Sequence, residues 1–205
     1  PAVHEPASHF TKMMYANRLA EAPVSNTVMF TSGGAGAGKS SGIKGVPAAQ
    51  AMQDRADVIY DTNMNKFSSA KEKIDQALAT GRDVQIAYVA RDPVEALTHG
   101  ALPRAMGSGG GRTVPLSEHI KTHVGAADTI KQIAEHYADN PNVQIHYIDN
   151  TKGKGGATLS DKSLPDKLNC ENLSERLHSA LTAEHEAGRI STKVFEGTRG
   201  QDPGG

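Results

Sequence analysis

Three groups of residues have the types and spacing for phosphate chemistry. The first follows a short apolar run, Val28-Met29-Phe30, that stops at a small-residue loop ending in Gly38-Lys39-Ser40. From Gly33 the spacing is G-x-x-x-x-G-K-S, the P-loop pattern. Glycines let such a loop curl until successive backbone N–H groups face phosphate oxygens. The helix that follows presents its N-terminus to the same anion. Gly33, Gly34, Ala35, Gly36, Ala37, Gly38, Lys39, Ser40 and Ser41 are therefore the candidate triphosphate-binding residues, for ATP or GTP. Lys39 supplies a mobile positive charge for the β- and γ-phosphates, and Ser40 a hydroxyl for Mg²⁺.

Asp61 forms the second group. It ends the run Asp57-Val58-Ile59-Tyr60, as a Walker B acid does. There it would hold Mg²⁺ with Ser40 or accept a proton from a substrate hydroxyl. The third group is Arg104 and Arg112, which flank the glycine-rich stretch 107–111. Planar Arg donors carried by a closing lid neutralise the charge that builds on a transferring phosphoryl group. Lys39, Asp61, Arg104 and Arg112 are the candidate catalytic residues. His119 and His123 share a helix face at metal-ligand spacing, but H-I-K-T-H lacks the Glu of a zinc-protease helix. A helical or capping role is the expectation for them, with His123 able to face a substrate. Lys152-Gly153-Lys154-Gly155-Gly156 reads either as a loop packed on a nucleotide base or as a basic turn.

The elements that must position these groups alternate. Strands are predicted at 27–31, 57–61, 84–90 and 143–149. Helices are predicted at 10–22, at 39–55 with a break near Pro47, from Ser68 or Ser69 to Thr80, from the Asp92 cap to Ala105, and over 116–137 and 172–188. Residues from Gly197 onward read as a loose tail. The order implies an α/β fold: a P-loop NTPase, kinase-like, built as a three-layer sandwich with a mainly parallel sheet and helices on both faces. Ligands in such sheets sit beyond the carboxyl ends of the strands, so the P-loop, Asp61 and the Asp92 cap should share one rim. We expect a helical extension over 1–26, a core over 27–158 with its lid at 104–113, and a C-terminal helix with a flexible tail over 159–205.

Composition narrows the class. Apolar residues make up 37% and aromatics 4% of 205 residues, with 21 glycines, which suits a moderate core with glycine-rich loops. A net charge of -1 gives no global field for nucleic acid or an anionic membrane. No apolar stretch has the length of a membrane span, and no signal peptide is visible. Cys170 has no second cysteine to pair with. A cytoplasmic protein with no membrane or nucleic-acid partner is expected. The start at Pro1 reads as processing or as a piece of a larger parent polypeptide.

These residues resemble the zeta toxin family of P-loop kinases. The resemblance rests on the P-loop, Val58-Ile59-Tyr60-Asp61-Thr62 and Ile86-Ala87-Tyr88-Val89-Ala90-Arg91-Asp92-Pro93. It continues through Arg104, Gly111-Arg112-Thr113-Val114-Pro115, His123-Val124-Gly125-Ala126 and Ile148-Asp149-Asn150 to the glycine loop at 152–156. It implies a toxin–antitoxin kinase that moves the γ-phosphate of ATP or GTP to a small-molecule hydroxyl. The family's acceptor is the nucleotide sugar UDP-N-acetylglucosamine, and its partner is an antitoxin protein. By the same resemblance Lys39 and Ser40 serve nucleotide and Mg²⁺, and Arg104 and Arg112 are lid arginines. One departure stands out. The family pattern has a further strand ending in an acidic motif, with the base Asp, before the strand at 57–61. Here only Ser41–Ala56 intervene, so Asp61 matches the Walker B-like position, and Asp54 and Asp57 are base candidates by default. The alternatives are a nucleotide-binding regulatory module and a plain NTPase.

Overall fold

The computed structural model describes residues 4–23, 25–107 and 111–200. Helix α1 (His4–Ala20) leads into strand β1 (Thr27–Ser32), which runs straight into the P-loop. Helices α2 (Lys39–Gly45) and α3 (Pro47–Arg55) follow, then β2 (Val58–Tyr60), α4 (Phe67–Leu78) and β3 (Asp83–Ala90). Next come α5 (Pro93–Ala96), a π-helical turn (Leu97–Ala101), α6 (Leu102–Ala105) and α7 (Leu116–His136). Strand β4 (Val143–Asp149), strand β5 (Thr158–Leu159), a 3₁₀ turn (Leu164–Lys167), α8 (Leu173–Glu186) and α9 (Thr192–Arg199) complete the described chain.

The sheet order is β2-β1-β3-β4-β5. Strands β2, β1, β3 and β4 are parallel, and β5 is antiparallel to β4. This is the expected mainly parallel sheet. Successive side chains of β1 point to opposite faces. Val28 and Phe30 enter a core with Tyr15 and Leu19 of α1, Ile74 of α4 and Ile130 of α7. Met29 enters the core on the other face with Ile43, Val46 and Ala49 of α2–α3. A third cluster joins Leu97, Leu102 and Leu116 to Leu177 and Leu181 of α8 and Val194 of α9.

Several local expectations are corrected. The helix expected over 39–55 is two helices, because Val46 turns to extended backbone and Pro47 starts afresh. α4 begins at Phe67, before either predicted serine cap, and its N-cap Lys66 makes no side-chain bond. The helix from the Asp92 cap widens through a π turn, where the Leu102 N–H reaches back to the Leu97 carbonyl. Pro103 has no N–H to continue the α-helical ladder there. The tail expected from Gly197 is helical to Arg199, with Thr198 buried. Residues 201–205 lie outside the described residues, as do 108–110 of the expected lid. No strand lies between α2 and β2, which pairs directly with β1.

Candidate active site

The P-loop curls because Gly36 and Gly38 take the left-handed backbone (φ 73° and 77°) that residues with a Cβ disfavour. Its shape is held by residues distant in sequence. On α7 the Thr122 Oγ1 accepts from the Ala35 N–H (3.1 Å), and the His123 Nε2–H donates to the Ala35 carbonyl (2.9 Å). The His123 ring lies directly under Gly34, where a Cβ would fall 2.2 Å from it. Asn150, after β4, donates from Nδ2 to the Ala37 carbonyl (2.8 Å).

Lys39 stands at the mouth of this loop. Its Nζ donates to Asn63 Oδ1 (2.8 Å) and lies 3.7 Å from Asp61 Oδ1. Burial lowers the Lys39 pKa, Asp61 raises it back, and Arg104 lowers it. Besides Lys39, the Asp61 carboxylate meets Thr31 Oγ1, which donates a hydrogen bond to it, and the rest of it is open to solvent. Ser40 is exposed, whereas the Ser41 hydroxyl is spent on the Gly38 carbonyl (3.0 Å).

One cleft of about 670 Å³ is lined by residues 34–41 of the loop, Asp61, Arg104 and Arg112. The structure thus brings Lys39, Asp61, Arg104 and Arg112 onto one cleft with every P-loop candidate except Gly33. That residue lies beneath the loop, with its N–H donating to the Asn63 carbonyl (3.2 Å). Sequence reading missed Asn63, Asn65, Glu118 and Thr122 on the same cleft. Asn63 carried a faint signal, being two residues beyond Asp61; Thr122 carried none, since its role comes from α7 crossing the loop. Neither default base is here. Asp54 accepts from Gln50 on α3 (2.6 Å), and Asp57 is buried against Arg82 and Arg18. The loop at 152–156 does not line the cleft; its turns close on themselves through Gly153 N–H to Asn150 O and Gly156 N–H to Gly153 O.

The two histidines do not cap a helix: both are buried on α7 and donate to backbone carbonyls of other segments. His119 Nε2–H donates to the Pro93 carbonyl (2.8 Å), with its ring centroid 4.6 Å from that of His123. Burial lowers the pKa of both, and for His123 burial and neighbouring His119 bring it down to about 3. Because the folded pKa lies below the unfolded one, the unfolded chain binds the proton first as pH falls. Stability contributed by neutral His123 is therefore complete above about pH 6.5 and is lost below it, by about 1.4 kcal/mol per pH unit until the folded group titrates. Urea midpoints should fall measurably from pH 6.5 to 5, and His123→Gln should flatten that slope.

Parallel strands with a P-loop at the end of β1 define a P-loop kinase-like fold, and an acid and two arginines line the same cleft. The zeta toxin family model matches residues 46–155, more than half of the chain, and the protein belongs to that family. The match covers Asp61, Arg104 and Arg112; the P-loop precedes it. No curated protein matches the chain. Among solved structures, AvrRxo1-ORF1:AvrRxo1-ORF2 with sulphate ions superposes with a TM-score of 0.56 at 12% identity, covering 95% of this chain and 86% of that one. The AvrRxo1-ORF1:-ORF2 structure with ATP superposes at 0.53 and 12% identity, covering 82% and 68%. These likenesses agree with the fold. Among the described residues no helix is long and apolar enough to cross a membrane.

Proposed function

We propose that the protein is a phosphotransferase that moves the γ-phosphate of ATP or GTP to the hydroxyl of a small molecule, such as a nucleotide sugar, and that it acts as a toxin. The observation that carries this reading is the single cleft in which Lys39, Asp61, Arg104 and Arg112 meet the P-loop. Family membership and the ATP in a structure of the same fold support it. The backbone of residues 34–38 cradles the β-phosphate, and Lys39 neutralises the β- and γ-oxygens. Arg104 and Arg112, which line the same cleft, meet the charge on the transferring group.

Mg²⁺ fits the donors present. Ser40 and Asp61 offer a hydroxyl and an open carboxylate, and Mg²⁺ is commonly held by one or two such groups plus substrate phosphates. When bound, the ion neutralises charge on the β- and γ-phosphates. No cluster of three His, Cys, Asp or Glu among the described residues makes an all-protein cage. Asp61 also serves as the base that takes the acceptor hydroxyl proton, being the cleft carboxylate beside Lys39 at the end of β2. A second protein that blocks the cleft, an antitoxin, is the expected partner; AvrRxo1-ORF1 is likewise found in complex with AvrRxo1-ORF2.

The test is incubation with ATP or GTP and Mg²⁺ over a panel of nucleotide sugars and nucleosides, with products read by mass spectrometry. A phosphorylated acceptor is expected. Inorganic phosphate alone would make the protein an NTPase, and nucleotide binding without any product would make it a regulatory module. Asp61→Asn should reduce transfer by about 10²–10⁴-fold, the range for a lost general base, while nucleotide affinity measured without metal stays near that of the parent.

A further inference from the structure

The C-terminal helix α9 lies outside the residues matched by the family model, yet it touches the arginine-bearing segment on both sides of the glycine-rich stretch. Before that stretch, the backbone N–H of Ser191, the α9 N-cap, donates to Met106 Sδ at 3.4 Å. After it, Gly197 is pressed against Thr113: a Cβ there would fall 2.8 Å from Oγ1, 3.1 Å from Cγ2 and 3.3 Å from Cβ. Just beyond α9, Gly200 faces the Pro115 ring, and Val194 packs in one cluster with Leu102, Ala105 and Leu116. Within the segment, Gly111 sits on the Arg104 carbonyl, where a Cβ would fall 1.9 Å away. The backbone that carries Arg112 is therefore confined between Arg104 and α9.

We propose that α9 is a positioning element for the two cleft arginines, with Gly197 as the residue that sets how closely the Arg112–Pro115 strap lies to the cleft. Its catalytic consequence rests on the phosphotransfer reading. Rotation of Thr113 gives little relief, because its χ1 is restricted and its own Cβ, which does not move on rotation, would still lie 3.3 Å from the new methyl. A methyl at Gly197 pushes the strap, and Arg112 with it. Misplacement of a positioning group by about 1 Å can reduce turnover by about 10²-fold. The same substitution improves helix propensity, so an effect through weakened folding would run the other way.

The experiment compares the parent chain, Gly197→Ala, and Gly197→Ala with Thr113→Ala by hydrogen exchange, nucleotide affinity and phosphoryl transfer. Gly197→Ala should speed exchange of amides 111–114. It should lower turnover by about 10- to 100-fold with the thermal midpoint and nucleotide affinity retained, and the Thr113→Ala background should restore part of that turnover. Unchanged exchange at 111–114 would overturn the proposal. So would unchanged turnover of Gly197→Ala, or a turnover loss that merely tracks a fall in thermal midpoint. If the parent chain shows no nucleotide turnover while exchange responds as expected, the phosphotransfer reading fails and the role of α9 in placing the strap stands.

Discussion

Lys39→Ala should lower phosphoryl transfer by at least about 10²–10³-fold while the protein stays folded. The Lys39 ammonium is held between Asn63 and Asp61 at the mouth of the P-loop, and it is the P-loop's own cation. Loss of one preorganised electrostatic group at a reacting oxyanion reduces turnover by about 10²–10³-fold. A P-loop without its lysine also loses affinity for the triphosphate, so the deficit at limiting nucleotide is larger. The fold survives because the partners left behind stay hydrated: the Asp61 side chain is 70% exposed. Product formation at saturating nucleotide, with circular dichroism and a thermal midpoint on the same sample, checks both halves. Turnover equal to that of the parent would remove Lys39 from the reaction.

The second large effect is on stability. Asp57→Ala should destabilise the protein by about 3–5 kcal/mol, the range for breaking a buried ion pair by removing one partner. The Asp57 side chain is fully buried and Arg82 is 1% exposed; Arg82 Nη2 lies 3.3 Å from Asp57 Oδ2, and Arg18 Nη2 lies 2.5 Å from Oδ1. Arg82 also donates to the carbonyls of Leu19 (2.9 Å) and Glu21 (3.0 Å), so the pair ties the end of α1 to the start of β2. Removing the carboxylate leaves the Arg82 cation in the interior without its counter-charge. Native domains carry only about 5–15 kcal/mol in all, so the variant sits near the edge of folding. Urea unfolding measures it, and Asp57→Asn should be milder, since it preserves the shape of the carboxylate. A change below about 1 kcal/mol would mean that water reaches Arg82.

Asp57 and Asp61 show where sequence reading stops. Both flank the same short strand, and both were base candidates. In a parallel sheet the carboxyl ends gather at one rim, and this places Asp61 in the cleft and Asp57 at the far end. What Asp57 does there depends on Arg82 and Arg18, which lie 25 and 39 residues away. The P-loop, β1, β3, β4, the Asp92 cap and α7 were legible because each is specified locally, by apolar periodicity, cap chemistry or glycine spacing. The Asp92 carboxylate, for instance, accepts from the N–H groups of Val94 (2.9 Å) and Glu95 (3.2 Å) within its own turn. Helix α9 was not legible. It is short, contains Gly197, and gains its order from burying Val194 in the cluster it shares with α6, α7 and, above all, α8.

A mainly parallel α/β sheet, a glycine loop with the P-loop spacing, and the acid and arginines that line its cleft could all be read from the chain alone. These follow from short-range patterns that any fold containing them must respect. What holds that loop and those arginines in place came from packing between segments far apart in the chain. Thr122, His123 and Asn150 brace the P-loop, and Gly197 braces the strap. Each acts through a contact across scores of residues, which no local pattern records.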